Sequence, residues 1–207
     1  SAHSNDWSYE FMSRDILELA NQLKAPKIYL IGHSMGGKAA MRFALDNPER
    51  VDKLVVVDIA PKYYPIHHRE ILDALLGLDL ERISSRKEAE TSLSQKIKNV
   101  GELQFLLKNL YWIDTQNNRL AWRFNLNVIN ENIENVGEEQ DAEASPIQVP
   151  TLFLRGENSN YVLDADQAHI QKSLSNFQLK TIPGAGHWVQ AEKPELFFAA
   201  VSAFFES

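Results

Sequence analysis

The N-terminal part of the chain carries apolar residues at helical spacing. Between residues 8 and 23 they recur every three or four positions, as Met12, Ile16, Leu19 and Leu23. This spacing predicts a helix that packs along one face, and Ser8, directly before it, is a suitable N-cap. Similar spacing predicts further helices at Met35 to Leu45, Asp164 to Leu174 and Pro194 to Phe205.

Short runs of β-prone residues separate these helices. Four runs are found, at residues 27–31, 54–57, 151–154 and 177–182. The run Leu54-Val55-Val56-Val57 is continuously apolar, which is typical of a parallel strand that is covered on both faces. Strands that alternate with helices predict an α/β fold with a doubly wound, mostly parallel sheet.

Residues 62–146 interrupt this alternation. Their pattern predicts helices only, at Glu70 to Leu76, Ser85 to Ile97, Glu102 to Leu110 and Val128 to Val136. We therefore predict that 62–146 is a helical lid, inserted between two parts of one α/β core at 1–61 and 147–207.

The composition disfavours several classes of protein. The chain of 207 residues has no cysteine, which excludes a disulfide framework, a thiolate nucleophile and cysteine-bound zinc. Its net charge of -7 disfavours a nucleic-acid partner, and the lysines around Lys96 and Lys98 fit a solvated helix face. No apolar run reaches the roughly 20 residues of a membrane span. We expect a cytoplasmic location; the sequence does not predict an oligomeric state.

One predicted turn carries a catalytic motif. Gly32-His33-Ser34-Met35-Gly36 matches G-x-S-x-G and lies between a predicted strand and a predicted helix, which is the context that a nucleophile elbow requires. Glycines fit such a turn because larger side chains would collide with the strand or the helix. We predict Ser34 as the nucleophile and the backbone N–H of Met35 as an oxyanion donor.

A serine nucleophile needs a general base, and His187 is the candidate. The segment Gly184-Ala185-Gly186-His187-Trp188 follows the last predicted strand, where this kind of fold places its histidine. His33, beside Ser34, is a candidate substrate-binding residue, and His67 and His68 are candidates to line the pocket.

The acid of the predicted catalytic group has two candidates. The usual G-x-x-D pattern after the strand at 151–154 would place an aspartate at residue 159, which is Ser159 here. Asp58 follows the strand next along the chain from Ser34, at the sheet edge where site residues collect. We favour Asp58 as the group that accepts a hydrogen bond from His187, and keep Glu157 as the alternative.

These motifs resemble the α/β-hydrolase superfamily, and within it the YbfF-type bacterial esterases and their mitochondrial abhydrolase relatives. Similar segments extend along nearly the whole chain, at residues 30–39, 55–61, 104–108, 122–125 and 184–194. The resemblance implies Ser34 and His187 as catalytic residues, supports Asp58 as the acid, and implies that 62–146 is a lid. It also implies hydrolysis of short-chain esters, with acyl thioesters as a further substrate class, and without a metal or cofactor.

Aromatic residues are candidates for an apolar acyl pocket: Tyr63, Tyr64, Phe105, Tyr111, Trp112 and Trp188. Compared with the family, the chain lacks roughly 50 residues at its front, including an oxyanion loop, and we expect a separate or missing N-terminal piece to supply them. Three other functions stay open: a cofactor-free haloperoxidase, a carbon–carbon bond hydrolase and a non-catalytic binding protein of the same fold.

Overall fold

A computed structural model describes residues 3–66, 69–116, 119–140 and 146–207 of the chain. The elements follow in chain order as α1 Tyr9–Gln22, β1 Ile28–His33, α2 Met35–Asp46, β2 Val51–Val57, α3 Arg69–Leu76, α4 Arg86–Ser94, α5 Val100–Leu107, β3 Leu110–Asp114, β4 Arg119–Trp122, α6 Leu126–Glu131, α7 Ile133–Val136, β5 Thr151–Gly156, α8 Gln167–Ser173, β6 Phe177–Ile182, α9 Val189–Glu192 and α10 Pro194–Glu206. Short 3₁₀ turns precede β2 and α8, at Pro48–Arg50 and Asp164–Asp166. The chain divides into two compact units, Ser8–Tyr64 with Gly137–Ser207, and Ser1–Trp7 with Pro65–Val136.

The first unit contains the predicted parallel sheet. Its four strands lie in the order β1-β2-β5-β6, and every neighbouring pair is parallel. In the β1–β2 register, Gly32 lies opposite Val56 and His33 opposite Val57. The carboxyl ends of β1 and β2 therefore stop level with each other, at the edge of the sheet where Ser34 and Asp58 follow. The prediction of an α/β fold with a mostly parallel sheet is confirmed.

Residues 54–57 of the central strand β2 are buried on both faces of the sheet, since successive residues of a strand point in opposite directions. Leu54 and Val56 of β2 pack in a core with residues of α2 and α8, while Val55 and Val57 pack in a second core with residues of α9 and α10. The continuous apolar run in β2 reflects this two-sided burial, as the sequence predicted.

The first helix begins as expected from its sequence. Ser8 precedes α1, and its Oγ accepts a hydrogen bond from the N–H of Phe11, which makes it the N-cap. Each helix in the described ranges is too short or too polar to span a bilayer.

The second unit has its own apolar core, formed by residues of α3 to α6, such as Leu72, Leu93 and Leu107, together with a pair of strands. The expectation of helices alone in this part of the chain was wrong, because β3 and β4 form an antiparallel hairpin. Leu110 pairs with Trp122, and Trp112 with Leu120. Aromatic and β-branched residues are frequent from Leu110 to Ile113, and these residues favour a strand over the last turn of a helix. The lid role of 62–146 stays a prediction.

Candidate active site

Ser34 occupies a strained turn between β1 and α2. Its backbone has φ +53° and ψ −124°, and a positive φ is rare for a residue other than glycine. Three backbone hydrogen bonds hold the turn: the Ser34 N–H donates to the Val57 carbonyl at 3.0 Å, and the N–H groups of Gly37 and Lys38 donate to the Ser34 carbonyl at 2.8 and 3.3 Å. The sheet and the helix thus fix the position of Ser34 from both sides.

Close packing explains two of the three glycines at this turn. A Cβ on Gly32 would lie 2.3 Å from the Gly36 carbonyl oxygen, and one on Gly37 would lie 2.6 Å from the Ile59 side chain. A Cβ on Gly36 would have no neighbour within 4 Å among the described residues. The expectation that every glycine here avoids a collision is therefore wrong for Gly36.

His187 lies between Ser34 and Asp58. Its Nε2 is 3.1 Å from Oγ of Ser34, and its Nδ1 is 2.7 Å from Oδ2 of Asp58. Because a carboxylate only accepts hydrogen bonds, Nδ1 carries the hydrogen and Nε2 is left to accept the hydrogen of the Ser34 hydroxyl. The structure thus brings together the serine, histidine and aspartate that the sequence singled out.

Asp58 is fully buried at the carboxyl end of β2, with a backbone φ of +50°. Its carboxylate accepts hydrogen bonds from the N–H of Gly156 at 3.1 Å and from the hydroxyl of Ser159, besides the one from His187. A buried carboxylate is costly unless it is paired and hydrogen-bonded, and these donors meet that need. The sequence analysis noted Ser159 only as a missing aspartate, and did not predict this contact.

Glu157 lies at a different place. Its carboxylate accepts a hydrogen bond from the N–H of Gly184 at 2.8 Å, and so supports the turn that leads to His187. Gly184 itself has φ +66°, a conformation that glycine adopts without strain. The alternative assignment of Glu157 as the partner of the His187 ring does not fit this geometry, because Asp58 occupies that position.

Two further side chains hold the backbone around His187. The carboxylate of Glu192 accepts hydrogen bonds from the N–H of Gly186 at 2.7 Å and of Trp188 at 3.2 Å, the residues on either side of His187. His33 lies with Nε2 2.8 Å from the His187 carbonyl oxygen, so this nitrogen donates. Burial lowers the pKa of His33 and outweighs the opposing effect of its hydrogen bond to the His187 carbonyl, so the ring is neutral at pH 7. This contact lets His33 support the backbone of His187, and its contact with substrate stays a prediction.

An aromatic ring that the sequence analysis did not single out covers one face of His187. The Tyr161 ring is stacked on the imidazole, with ring centroids 3.9 Å apart and planes 19° from parallel. Its signal in the sequence is only its place in the loop after β5, two residues beyond Ser159.

The predicted pocket residues differ in their surroundings. The Trp188 ring lies 5.7 Å from that of His33, and Tyr63 is exposed, so both stay candidates for contact with substrate. The Tyr64 hydroxyl is engaged, since it accepts from the N–H of Ala60 at 2.9 Å and donates to the Tyr161 carbonyl at 2.6 Å. Burial raises the pKa of Tyr64, which keeps its hydroxyl protonated for this contact. These contacts give the Tyr64 hydroxyl a structural role, and the contact of Tyr64 with substrate stays a prediction.

Other candidates belong to the second unit or lie outside the described residues. Phe105 is on α5, and Tyr111 and Trp112 are on β3, so the structure leaves their predicted contact with substrate a prediction. His67 and His68 lie outside the described residues.

Met35 is the first residue of α2. Its N–H is therefore one of the N-terminal groups that have no carbonyl acceptor within the helix. Among the described residues no group of histidine and carboxylate side chains is arranged to hold a metal ion.

A buried lysine lies on the helix that follows Ser34. Lys38 is 1% exposed, and its ammonium donates to the backbone carbonyls of Lys62 at 2.9 Å, Gly137 at 3.2 Å and Glu138. Burial lowers the pKa of Lys38 to about 8. The segments that contain these carbonyls are also joined to each other, because the Tyr64 N–H donates to the Gly137 carbonyl at 2.8 Å.

Comparison with known proteins gives one consistent result. A family model described as alpha/beta hydrolase fold matches residues 1–194. The chain is 39% identical to the sn-1-specific diacylglycerol lipase ABHD11 of Mus musculus, over 99% of this chain and 67% of that protein. It is 32% identical to esterase YbfF of Escherichia coli (strain K12), over 95% of this chain and 74% of that protein. A solved marine microorganism esterase is 39% identical, with a TM-score of 0.94 over 99% of this chain and 80% of that one. The chain thus spans about two thirds to three quarters of the length of these two named relatives.

Proposed function

The chain belongs to the α/β-hydrolase fold family and is an esterase- or lipase-type hydrolase, and on this premise we propose that it is a serine esterase that hydrolyses short-chain carboxylic esters. The observation that carries the proposal is the position of His187, with Nε2 3.1 Å from Oγ of Ser34 and Nδ1 2.7 Å from the buried Asp58. This order of contacts is the one that activates a serine hydroxyl.

The first half of the reaction forms an acyl-enzyme. The Ser34 oxygen attacks the ester carbonyl carbon while its proton passes to Nε2 of His187. The resulting imidazolium is stabilised by Asp58, which stays a carboxylate. When the tetrahedral intermediate collapses, the carbon–oxygen bond to the alcohol breaks and the imidazolium gives its proton to the leaving oxygen. The acyl group is then bound to Ser34 as an ester.

The second half releases the acid. A water molecule gives a proton to His187 and its oxygen attacks the acyl carbon. The bond to the Ser34 oxygen breaks, and that oxygen takes the proton back from His187. The enzyme returns to its starting state, and no group other than water is consumed.

Negative charge develops on the substrate oxygen in both halves. The N–H of Met35, at the positive end of the α2 dipole, is the donor that we assign to it. Met35 directly follows Ser34, so the strained turn that presents the hydroxyl also sets the direction of this N–H.

The substrate class follows from the resemblance to esterases and from the aromatic candidates around the site. We propose short acyl esters first, and thioesters of the same acyl groups second, because both present a carbonyl carbon to the same nucleophile. The relative from Mus musculus is named for its action on diacylglycerol, so a glycerolipid belongs in the substrate panel.

The experiment that tests the proposal is the intact mass of the purified protein before and after a fluorophosphonate, with a butyrate-ester assay in parallel. We expect one adduct on Ser34 and steady turnover, and we expect Ser34→Ala to lose both, with turnover reduced by about 10³ or more. Ester turnover that survives in Ser34→Ala would contradict the assignment. No adduct and no turnover in the unmodified chain would favour a non-catalytic protein of this fold. An adduct without turnover of any ester or thioester would favour the haloperoxidase or carbon–carbon hydrolase.

A further inference from the structure

The ring of Tyr161 lies almost parallel to the imidazole of His187, with 3.9 Å between the ring centroids and 19° between the planes. The face of an aromatic ring carries a partial negative charge, so it attracts a cation more strongly than a neutral group. A histidine that acts as a general base alternates between these two forms. A contact of this kind therefore stabilises the imidazolium more than the imidazole.

Tyr161 is held in this position by its backbone on both sides. Its N–H donates to Oγ of Ser159 at 3.2 Å, and its carbonyl accepts from the Tyr64 hydroxyl at 2.6 Å. The Tyr64 hydroxyl is itself fixed by the N–H of Ala60 at 2.9 Å, and the rings of Tyr64 and Tyr161 are 5.8 Å apart. The backbone that carries the Tyr161 ring is thus held before a proton reaches His187, as a preorganised site requires.

The other groups around His187 act at different places. Asp58 contacts the ring edge at Nδ1, Ser34 contacts it at Nε2, and the tilted His33 ring, 4.7 Å away, is kept neutral by burial. Two carboxyl groups, those of Glu157 and Glu192, accept hydrogen bonds from the backbone of the same loop.

Two ammonium groups outside the site, those of Lys38 and Lys62, each lie 5.1 Å from the Tyr64 ring. The Lys62 ammonium also forms a salt bridge with Asp166 at 2.7 Å. Among these groups, Tyr161 is the one that faces the imidazole with a nearly parallel ring.

We propose that Tyr161 is a positioning residue for the general base: its ring orients His187 and stabilises the imidazolium that forms in each transition state. This inference rests on the proposed function, because it assigns Tyr161 a part in the same acyl transfer. The effect is assigned to the face of the Tyr161 ring.

Three replacements at residue 161 separate charge attraction from packing. Tyr161→Leu removes the ring, Tyr161→Phe keeps the ring without the hydroxyl, and pentafluorophenylalanine at this position keeps the ring shape but reverses the charge on its face. For Tyr161→Leu we expect kcat for the butyrate ester to fall about three- to thirtyfold, with little change in KM. The acidic limb of the kcat/KM profile should move to lower pH, because the protonated base loses a stabilising contact. Tyr161→Phe should recover most of the rate, and the pentafluoro ring should behave like leucine.

Several outcomes would overturn this inference. Equal kinetics for the phenylalanine and pentafluorophenylalanine proteins would mean that the ring only fills space. Unchanged kcat and pH profile in Tyr161→Leu would remove any role for Tyr161. If the leucine protein does not fold, the two aromatic replacements still decide the question. Tyr29→Leu, an exposed tyrosine on β1, is the matched control and should keep the parent rate. Failure of the parent protein to turn over esters or to label at Ser34 would instead contradict the proposed function.

Discussion

The hydroxyl of Ser159 donates a hydrogen bond to Oδ2 of Asp58, the same oxygen that accepts the Nδ1 hydrogen of His187. Ser159 stands in the loop after β5 at the position where the G-x-x-D pattern would supply the acid. Here the carboxylate comes from the end of β2 instead, and the β5 loop supplies a donor to it. The two loops thus form the acidic partner of His187 together, since one contributes the carboxylate and the other a hydrogen bond to it.

Replacement of Ser159 by alanine should weaken the base without removing it. The buried Asp58 would lose one of its donors, so its carboxylate would be held less firmly against Nδ1. We expect Ser159→Ala to lower kcat for a butyrate ester about tenfold with KM nearly unchanged. Ser159→Thr keeps the hydroxyl and should retain most of the rate. If both variants lose the same rate, the loop conformation, not the hydroxyl, is what matters.

Asp58→Asn should cost far more than the matched change Glu157→Gln. An amide at residue 58 would favour the wrong imidazole tautomer and would not stabilise the imidazolium, so we expect kcat to fall by about 10³ to 10⁴. Glu157 accepts a hydrogen bond from the backbone N–H of Gly184, and an amide at this position can keep that contact. A steady-state ester assay on both variants distinguishes the two carboxylates. A larger loss in Glu157→Gln than in Asp58→Asn would reverse the assignment.

Glu192→Gln tests whether the loop around His187 must be held from both sides. One carboxylate accepts the N–H groups of Gly186 and Trp188, whereas an amide accepts one of them and turns an NH₂ group toward the other. We expect kcat to fall about threefold to tenfold, which corresponds to the free energy of one such hydrogen bond. A fluorophosphonate should also label Ser34 more slowly. Glu195→Gln, in the first turn of α10, serves as the control. Labelling at the parent rate in Glu192→Gln would show that His187 is positioned without this carboxylate.

The buried ammonium of Lys38 predicts how the free energy of unfolding depends on pH. Its pKa is about 8 in the folded protein and near 10.5 when exposed, so above pH 8 the unfolded chain binds more protons than the folded one. The contribution of Lys38 to the free energy of unfolding therefore increases from about pH 8 to about pH 10.5. Relative to Lys38→Met, the parent protein should gain about 2 kcal/mol between pH 7 and pH 10.

Urea unfolding of both proteins across this range, compared with the exposed Lys24→Met, measures that gain. A difference between the parent and Lys38→Met that stays constant with pH would show that the ammonium is not destabilised by burial. A difference that decreases would mean that the three carbonyl contacts outweigh the cost of burial.

Local sequence signals were enough to predict most of the core. The run at 54–57 is apolar at every position and the run at 151–154 at every position except Thr151, and short apolar runs of this kind between turns are typical of buried parallel strands. Ser34 and His187 were found because each sits in a glycine-containing motif beside a predicted strand. The β3–β4 hairpin was missed because Leu110 also fits the helical spacing of the residues before it.

Contacts between distant residues account for what the sequence analysis left open. Neither Tyr161 nor Glu192 was singled out from the sequence, because their roles depend on which residues the fold places against His187. The choice between Asp58 and Glu157 required the same information, because both follow strands at the same sheet edge. Side-chain direction at such an edge depends on backbone angles like the positive φ of Asp58, which residue type alone does not predict.

The register of β1 and β2 has a consequence for how this site tolerates change. Since His33 and Val57 are paired and the Ser34 N–H donates to the Val57 carbonyl, backbone hydrogen bonds set the spacing between the serine and the aspartate. Any sequence that preserves the register of β1 and β2 preserves that spacing, whatever side chains fill the two cores. A slip of one residue between β1 and β2 would instead separate the pair at once.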